Sequence, residues 1–267
     1  MGEKNVKIMI ASHKRYRMPT DSMYLPVHVG AAGKENIGYQ RDDEGQNISE
    51  LNPYFCELTG IYWAWKNLDA DYIGLVHYRR HFSRHPHRKN LWNAVLRYDE
   101  IRAELGKFRV FVPGKRRYFI ETLYSHYAHT HHIQQLDETR KIIWERCPEY
   151  ITSFDKTVKQ RWGYMFNMMI LDKSLYAEYC AWLFDILFEL KKRLGENGLT
   201  SFHSRYYGRI SEIIFNVWLN EKIDSGAIKK DQIREIPFIH MEKINWWKKG
   251  AAFLKAKFMG RRYEGSF

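Results

Sequence analysis

The stretch that most constrains this chain is 68–82, LDADYIGLVHYRRHF. An acidic turn, Asp69-Ala70-Asp71, leads into a continuous apolar run, Tyr72-Ile73-Gly74-Leu75-Val76. A short apolar run bounded by turn signals and rich in β-branched and aromatic residues fits a strand buried on both faces. The run ends abruptly in His77-Tyr78-Arg79-Arg80-His81. Open α/β sheets place ligands outside the carboxyl ends of such strands. Two arginines flanked by histidines there predict an anionic ligand, most simply a phosphate group, because guanidinium groups bind phosphate oxygens in pairs. The alternative is that Arg79 and Arg80 merely begin a solvated loop.

A chain of 267 residues allows one α/β domain or two small ones. Its formal charge of +12 implies an acidic partner: nucleic acid, anionic lipid or a phosphorylated substrate. No run approaches the roughly 20 apolar residues of a transmembrane helix. The opening MGEKNVKIMIAS enters a strand pattern at once, without a signal peptide's apolar stretch. Cys56, Cys147 and Cys180 have no metal or redox spacing, and their odd number argues against a disulfide framework. The expected location is cytoplasmic.

Residues 6–11 read as a first strand ending in Ser12-His13-Lys14, small and basic residues that suit the mouth of a nucleotide site. Neither GxGxxG nor GxxxxGK[ST] is present, so dinucleotide-binding and P-loop chemistry are unsupported. Residues 24–28 form a second strand, with Pro26 suggesting an edge. Asn47 or Ser49 can cap a helix over 51–66, whose apolar residues recur at three- and four-residue steps. Glu57 inside it is either a boundary carboxylate paired with a nearby cation or a catalytic group.

Further strands are expected at 109–113, 164–171 and 233–239, and helices at 137–147, 175–193 and 209–220. His126, His129, His131 and His132 do not form a ligand pattern that supports zinc, so a sugar-contacting or exposed loop is expected there. Asn167 alone breaks an apolar strand, so its amide must be hydrogen-bonded, at a bulge or to a ligand. Glu212 falls near the start of its helix, where the dipole favours a carboxylate in any case. The tail, 244–267, interleaves Trp246, Trp247, Phe253 and Phe258 with six lysines and arginines before Glu264. That pattern describes a basic amphipathic C-terminal helix at an anionic membrane surface, or one docked on the core with its basic side in water.

The blocks NISELNPYFCELTGIYWAWKN, DADYIGLVHYRRHF, FVPGKRRYFIETLYSHY, FNMMIL and RISEIIFNVWL resemble a bacterial glycosyltransferase family. Its members come from capsule, exopolysaccharide and lipopolysaccharide gene clusters and were long catalogued as a domain of unknown function. The similarity covers residues 5–240 or so. It implies a GT-A-like α/β fold for residues 1–243: a mixed, mostly parallel central sheet flanked by helices. It also implies a UDP-sugar donor, best guessed as galactose or galactofuranose, and a lipid-linked or oligosaccharide acceptor. GT-A enzymes usually carry Asp-x-Asp after the central strand to hold a divalent metal; here His77-Tyr78-Arg79 stands there. Arginine cannot ligate Mg²⁺ or Mn²⁺ but can neutralise a diphosphate directly, so a metal-independent reaction is expected.

On that reading Ala11, Ser12, His13 and Lys14 line the uridine pocket, with Asn47 and Ser49 at its edge and Asn52 just behind them. His77, Tyr78, Arg79 and Arg80 hold the diphosphate. His132 and Asn167 meet the sugar or acceptor. Glu212 is the first candidate for the base, with Asp172 and Asp155 in reserve. Two other classes compete, a basic nucleic-acid-binding protein and a non-catalytic scaffold of a polysaccharide assembly complex. No nucleic-acid-binding module is recognisable, which disfavours the first.

Overall fold

The computed structural model describes residues 2–242. The expected membrane-surface helix at 244–267 therefore lies outside the described residues. The chain opens with β1 (Val6–Ser12), β2 (Tyr24–His28) and a short β3 (Gln40–Arg41). Two helices, α1 (Asn52–Phe55) and α2 (Leu58–Asn67), lead to β4 (Tyr72–His77) and β5 (Arg80–Phe82). Next come α3 (Tyr98–Ile101), β6 (Val110–Pro113), β7 (Arg116–Arg117), α4 (Leu123–Thr130), α5 (Ile133–Arg146) and α6 (Ile151–Val158). The remainder is β8 (Trp162–Gly163), β9 (Met169–Asp172), α7 (Lys173–Leu194), α8 (Tyr206–Asp224), β10 (Ile233–Ile236) and β11 (Phe238–His240).

The main sheet runs β10-β6-β9-β4-β1-β2-β3, with β5 and β11 attached at the end of β4. β4 and β2 flank β1 in parallel, whereas β9 is inserted antiparallel between β4 and β6. This is the mixed, mainly parallel α/β architecture expected from the sequence. Strand alternation gives the sheet two cores. Met9, Ala11, Ile73 and Leu75 face a large helical layer that includes Tyr179, Leu187 and Trp218. Ile8, Ile10, Tyr72 and Val76 face a smaller one closed by Leu96 and Ile101. Gly74 is required where β9 meets β4, because a Cβ there would lie 2.6 Å from the Met169 carbonyl oxygen. Among the described residues no helix is long and apolar enough to cross a membrane.

Four expected elements differ in detail, and three of the differences shape the site. The helix over 51–66 is broken at Cys56, whose φ of +52° ends α1 and makes Glu57 the N-cap of α2. The strand over 164–171 starts only at Met169, since Phe166 and Asn167 adopt φ of +74° and +53°, a left-handed backbone that cannot extend a strand. The last helix begins at Tyr206, which moves Glu212 into the second turn and removes the dipole as its explanation. Pro237 divides the late strand into β10 and β11. Pro26 sits where the expected edge falls: β3 pairs only with Val27 and His28.

Candidate active site

The carboxyl ends of β1, β2 and β4 lie side by side: Ser12 is in register with His28, and Ala11 with His77. β4 turns back through Tyr78 and Arg79, so Arg80 pairs with His77 across a tight hairpin. The aromatic ring of Tyr78 anchors this corner, 5.5 Å from the His13 ring and 5.0 Å from that of Tyr16. The Lys14 ammonium lies 5.1 Å from its centroid. Ser12 is consumed locally, its hydroxyl donating to the Lys14 carbonyl at 2.7 Å. His13 is held below its ordinary pKa by burial and then by the charges of Lys14, Arg79, Lys34 and Arg205. Those cations define a positive rim around the ends of β1 and β4.

Beneath the rim is a denser cluster. His77 shares a 2.7 Å hydrogen bond through Nε2 with the Phe166 carbonyl, and burial, then the Arg80 charge, lowers its pKa to about 4. The ring is therefore neutral at pH 7 and donates. The Arg80 guanidinium lies 3.9 Å from the Phe166 ring centroid, and its buried Nε has no hydrogen-bond partner. Burial lowers its pKa to about 10, opposed by Glu212 and Glu57. The Arg116 guanidinium lies 4.9 Å from the Tyr118 ring and 5.9 Å from Phe166. Burial pushes the Tyr118 phenol up to about 12.

From α8, the buried Glu212 accepts from Arg209 Nη1 at 3.2 Å and lies within electrostatic reach of His77, Arg80 and Tyr118. Asn167 closes the back of the cluster. Its Nδ2 donates to Glu57 Oε1 at 2.8 Å and to the Gly208 carbonyl at 3.2 Å, while Ser211 Oγ donates to its Oδ1 at 2.9 Å. Three non-glycine residues of the cluster, Cys56, Phe166 and Asn167, have positive φ, and the Asn167 amide joins two of these sites through the Glu57 carboxylate. Strain of this kind persists only where the surroundings over-determine it, and it gathers at functional sites.

The structure brings Ala11, Ser12, His13, Lys14, His77, Tyr78, Arg79, Arg80, Asn167 and Glu212 to this end of the sheet. It corrects the remaining assignments. Asp172 pairs with Tyr72, at the opposite end of β4, where it caps Leu175 and binds Arg109. Asp155, on α6, is bound bidentately by Arg140 of α5. Neither can reach the cluster as a base. His132 packs edge-on against His203, 4.9 Å away, in a histidine group around the buried His131.

Asn47, Ser49 and Asn52, expected at and behind the edge of a uridine pocket, are engaged in hydrogen bonds that fix the turns before and at α1. The fully buried Asp42 accepts from Gly30 N, Ala31 N, Ser49 Oγ and Thr59 Oγ1, fixing the turn after β2. Asn47 holds the 43–45 turn and receives Ser49 N. Asn52 donates to the Cys56 carbonyl and fills the space beside Gly30, where a Cβ would lie 2.3 Å from it. Sequence reasoning missed Asp42, Arg116, Tyr118 and Arg209, and it weighed Glu57 towards a boundary pair. The available signal was Asn167, which needed a partner.

A divalent metal does not fit the end of β4. The side chains there are a committed imidazole, a phenol and two guanidinium groups, whereas Mg²⁺ and Mn²⁺ take hard oxygens. A separate cavity of about 350 Å³ opens between α1 and the 196–205 loop, with Tyr54, Asn197 and Arg205 among its walls.

Residues 7–223 match the family described as "Domain of unknown function (DUF4422)". The chain belongs to this family. No curated protein sequence matches the DUF4422 chain significantly. Among solved structures, it is similar to the apo structure of the WbbM bifunctional glycosyltransferase, with a TM-score of 0.82 and 29% identity. That likeness covers 90% of this chain but spans only 46% of the WbbM chain.

Proposed function

We propose that this DUF4422 chain is a glycosyltransferase of bacterial surface-polysaccharide synthesis. It transfers a hexosyl group, best guessed as galactose or galactofuranose, from a UDP-sugar to a lipid-linked or oligosaccharide acceptor. The observation that carries this reading is the half-buried Arg80 at the end of the central strand, its buried Nε without a protein partner and Glu212 close by. A guanidinium in that state is poised to receive an anionic oxygen. The fold likeness to a glycosyltransferase supports the same reading.

In an inverting transfer, the acceptor hydroxyl oxygen attacks the anomeric carbon while Glu212 takes the hydroxyl proton. The bond from that carbon to the diphosphate breaks, and its electron pair leaves with UDP. Arg79, Arg80 and the rim cations offset the charge developing on the leaving oxygens, the task that a metal performs in many GT-A enzymes. Arg116 and Arg209 lie close enough to add to this field. The acceptor would reach the enzyme at the inner face of the cell membrane, to which the tail at 244–267 would attach the cytoplasmic protein peripherally. No divalent cofactor is required on this reading, and nucleic acid is not a partner.

The test is turnover of a panel of UDP-sugars with and without EDTA. Release of UDP that resists the chelator is the expected result. Activity abolished by EDTA and restored by Mn²⁺ would overturn the metal-independent reaction. Absence of turnover with every donor and a saccharide acceptor would favour the scaffold.

A further inference from the structure

Between β7 and α4 the chain displays apolar side chains where solubility disfavours them. Phe119 is 77% exposed, Ile120 60% and Tyr124 39%, all within one six-residue span. Phe119 also has a φ of +51°, an outlying conformation for an aromatic residue. The tip is held in place: Tyr118 N donates to the Arg161 carbonyl at 2.8 Å, and Ile120 N to the Tyr118 carbonyl at 2.6 Å. Arg161 Nη1 in turn donates to the Phe119 carbonyl at 3.2 Å. Hydrogen bonds on both sides therefore hold the strained residue with its ring exposed.

The surroundings are basic. Arg117, in register with Trp162, is exposed, as are Arg161 and Lys159 at the neighbouring end of α6. The acidic groups nearby are engaged: Glu121 is buried against His126 and His129, Asp137 accepts from the Tyr124 hydroxyl, and Glu235 pairs with Lys115. Apolar side chains projecting through a ring of unpaired cations match an anionic bilayer, whose interface accepts the rings while its headgroups meet the charges. We propose that Phe119 and Ile120 insert into the interface of an anionic membrane, with Arg117, Lys159 and Arg161 on the headgroups. Tyr118, next in the chain, faces Glu212 and Arg209, so the inserted tip sets the mouth of the candidate site at the lipid surface. This contact is separate from the tail and does not depend on which reaction the site performs.

The experiment is co-sedimentation of the full chain with vesicles of phosphatidylglycerol and phosphatidylcholine. Wild type is expected to bind them and to bind pure phosphatidylcholine at least tenfold more weakly. The Phe119→Ser/Ile120→Ser variant should bind the mixed vesicles roughly tenfold more weakly, a loss of about 1.4 kcal/mol. Phe119→Trp/Ile120→Leu should restore binding, and Arg117→Glu/Arg161→Glu should weaken it to the level of the neutral vesicles. Both altered positions are exposed, and circular dichroism checks that the variants fold. Equal binding by the double-serine variant and wild type would overturn the proposal and leave any attraction to the rest of the basic surface. Equal binding to neutral and anionic vesicles would overturn it as well. So would a loss of response to a soluble saccharide acceptor in that variant with vesicle binding unchanged, the mark of a substrate lid.

Discussion

Asn167 Nδ2 donates to Glu57 Oε1 at 2.8 Å, tying together residues 110 apart in sequence and two left-handed backbone sites. The bond ties the break between α1 and α2 to the loop before β9, so the carboxylate is oriented by a strained neighbour that cannot drift. Asparagine tolerates the left-handed region better than most side chains. Asn167→Gly should therefore keep the backbone while losing all three side-chain hydrogen bonds. Asn167→Ala should lose the hydrogen bonds and add strain. The expected order of stability by urea denaturation is wild type, then Gly, then Ala, with Ala down by about 2–4 kcal/mol. Equal losses in the two variants would show that the conformation carries no strain.

The two arginines of the hairpin should not be equivalent. Arg79 is exposed and only 3.8 Å from Glu242, a pair that contributes little. Arg80 is largely enclosed beside Phe166, with an unpartnered Nε. Arg80→Lys keeps the charge but loses the planar fork. It should weaken UDP binding by roughly 10- to 100-fold, against a few-fold for Arg79→Lys. Calorimetric titration of UDP into the two variants gives the comparison directly. A larger loss at Arg79 would place the diphosphate on the rim instead of inside it.

The position of the candidate site could be read from the sequence because the polar cluster and the buried strand are contiguous: β4 and its hairpin occupy one fifteen-residue stretch. The two faces of the sheet were not legible, because continuous apolar runs such as 72–76 hide the alternation that sends Met9 and Leu75 to one core and Ile8 and Val76 to the other. Nor were long-range partners. Glu57 looked like a boundary residue because a helix pattern conceals a single positive φ at Cys56, and cysteine gives no warning of one. Asp42 belongs to a polar run, GYQRDDEGQ, yet it is fully buried by the backbone and hydroxyl groups that it accepts from. Asp172 was misplaced because its strand runs antiparallel, which carries its end to the opposite end of β4. Spacing along the chain does not report strand direction.

Acid should destabilise this fold through buried histidines. His81 is fully buried and His131 is 6% exposed. Burial, the largest cause in each, lowers their pKa from 6.5 to about 4 and about 3. The folded pKa lies below the unfolded one, so the unfolded chain takes up the proton first. Stability from these groups is complete above about pH 6.5 and is lost as pH falls from there through 4. Near pH 5 the cost is about 2 kcal/mol for each ring. Urea midpoints between pH 7.5 and 5 should fall accordingly, and His81→Asn should flatten the slope. An unchanged slope in that variant would place the acid sensitivity elsewhere.

The last prediction separates the two carboxylates of the cluster. Glu212 is buried, bound by Arg209 and electrostatically coupled to His77 and Arg80. Glu57 is half-buried and its Oε1 is occupied by Asn167. A general base must reach the acceptor hydroxyl with an accepting oxygen, and Glu212, whose only side-chain donor among the described residues is Arg209 on its own helix, is the better candidate of the two. Glu212→Gln keeps the shape and the Arg209 contact but cannot take a proton. It should lower kcat by on the order of 10²–10⁴-fold while leaving UDP affinity within a few-fold of wild type. Glu57→Gln keeps an acceptor oxygen for the Asn167 amide, and its effect should fall mainly on KM for the acceptor or donor sugar. Measuring kcat and KM for both variants decides the assignment. Near-wild-type kcat in Glu212→Gln with a collapse in Glu57→Gln would exchange the two roles. A collapse of UDP binding in Glu212→Gln would instead mean that this carboxylate organises Arg80 and Arg209 for the phosphates.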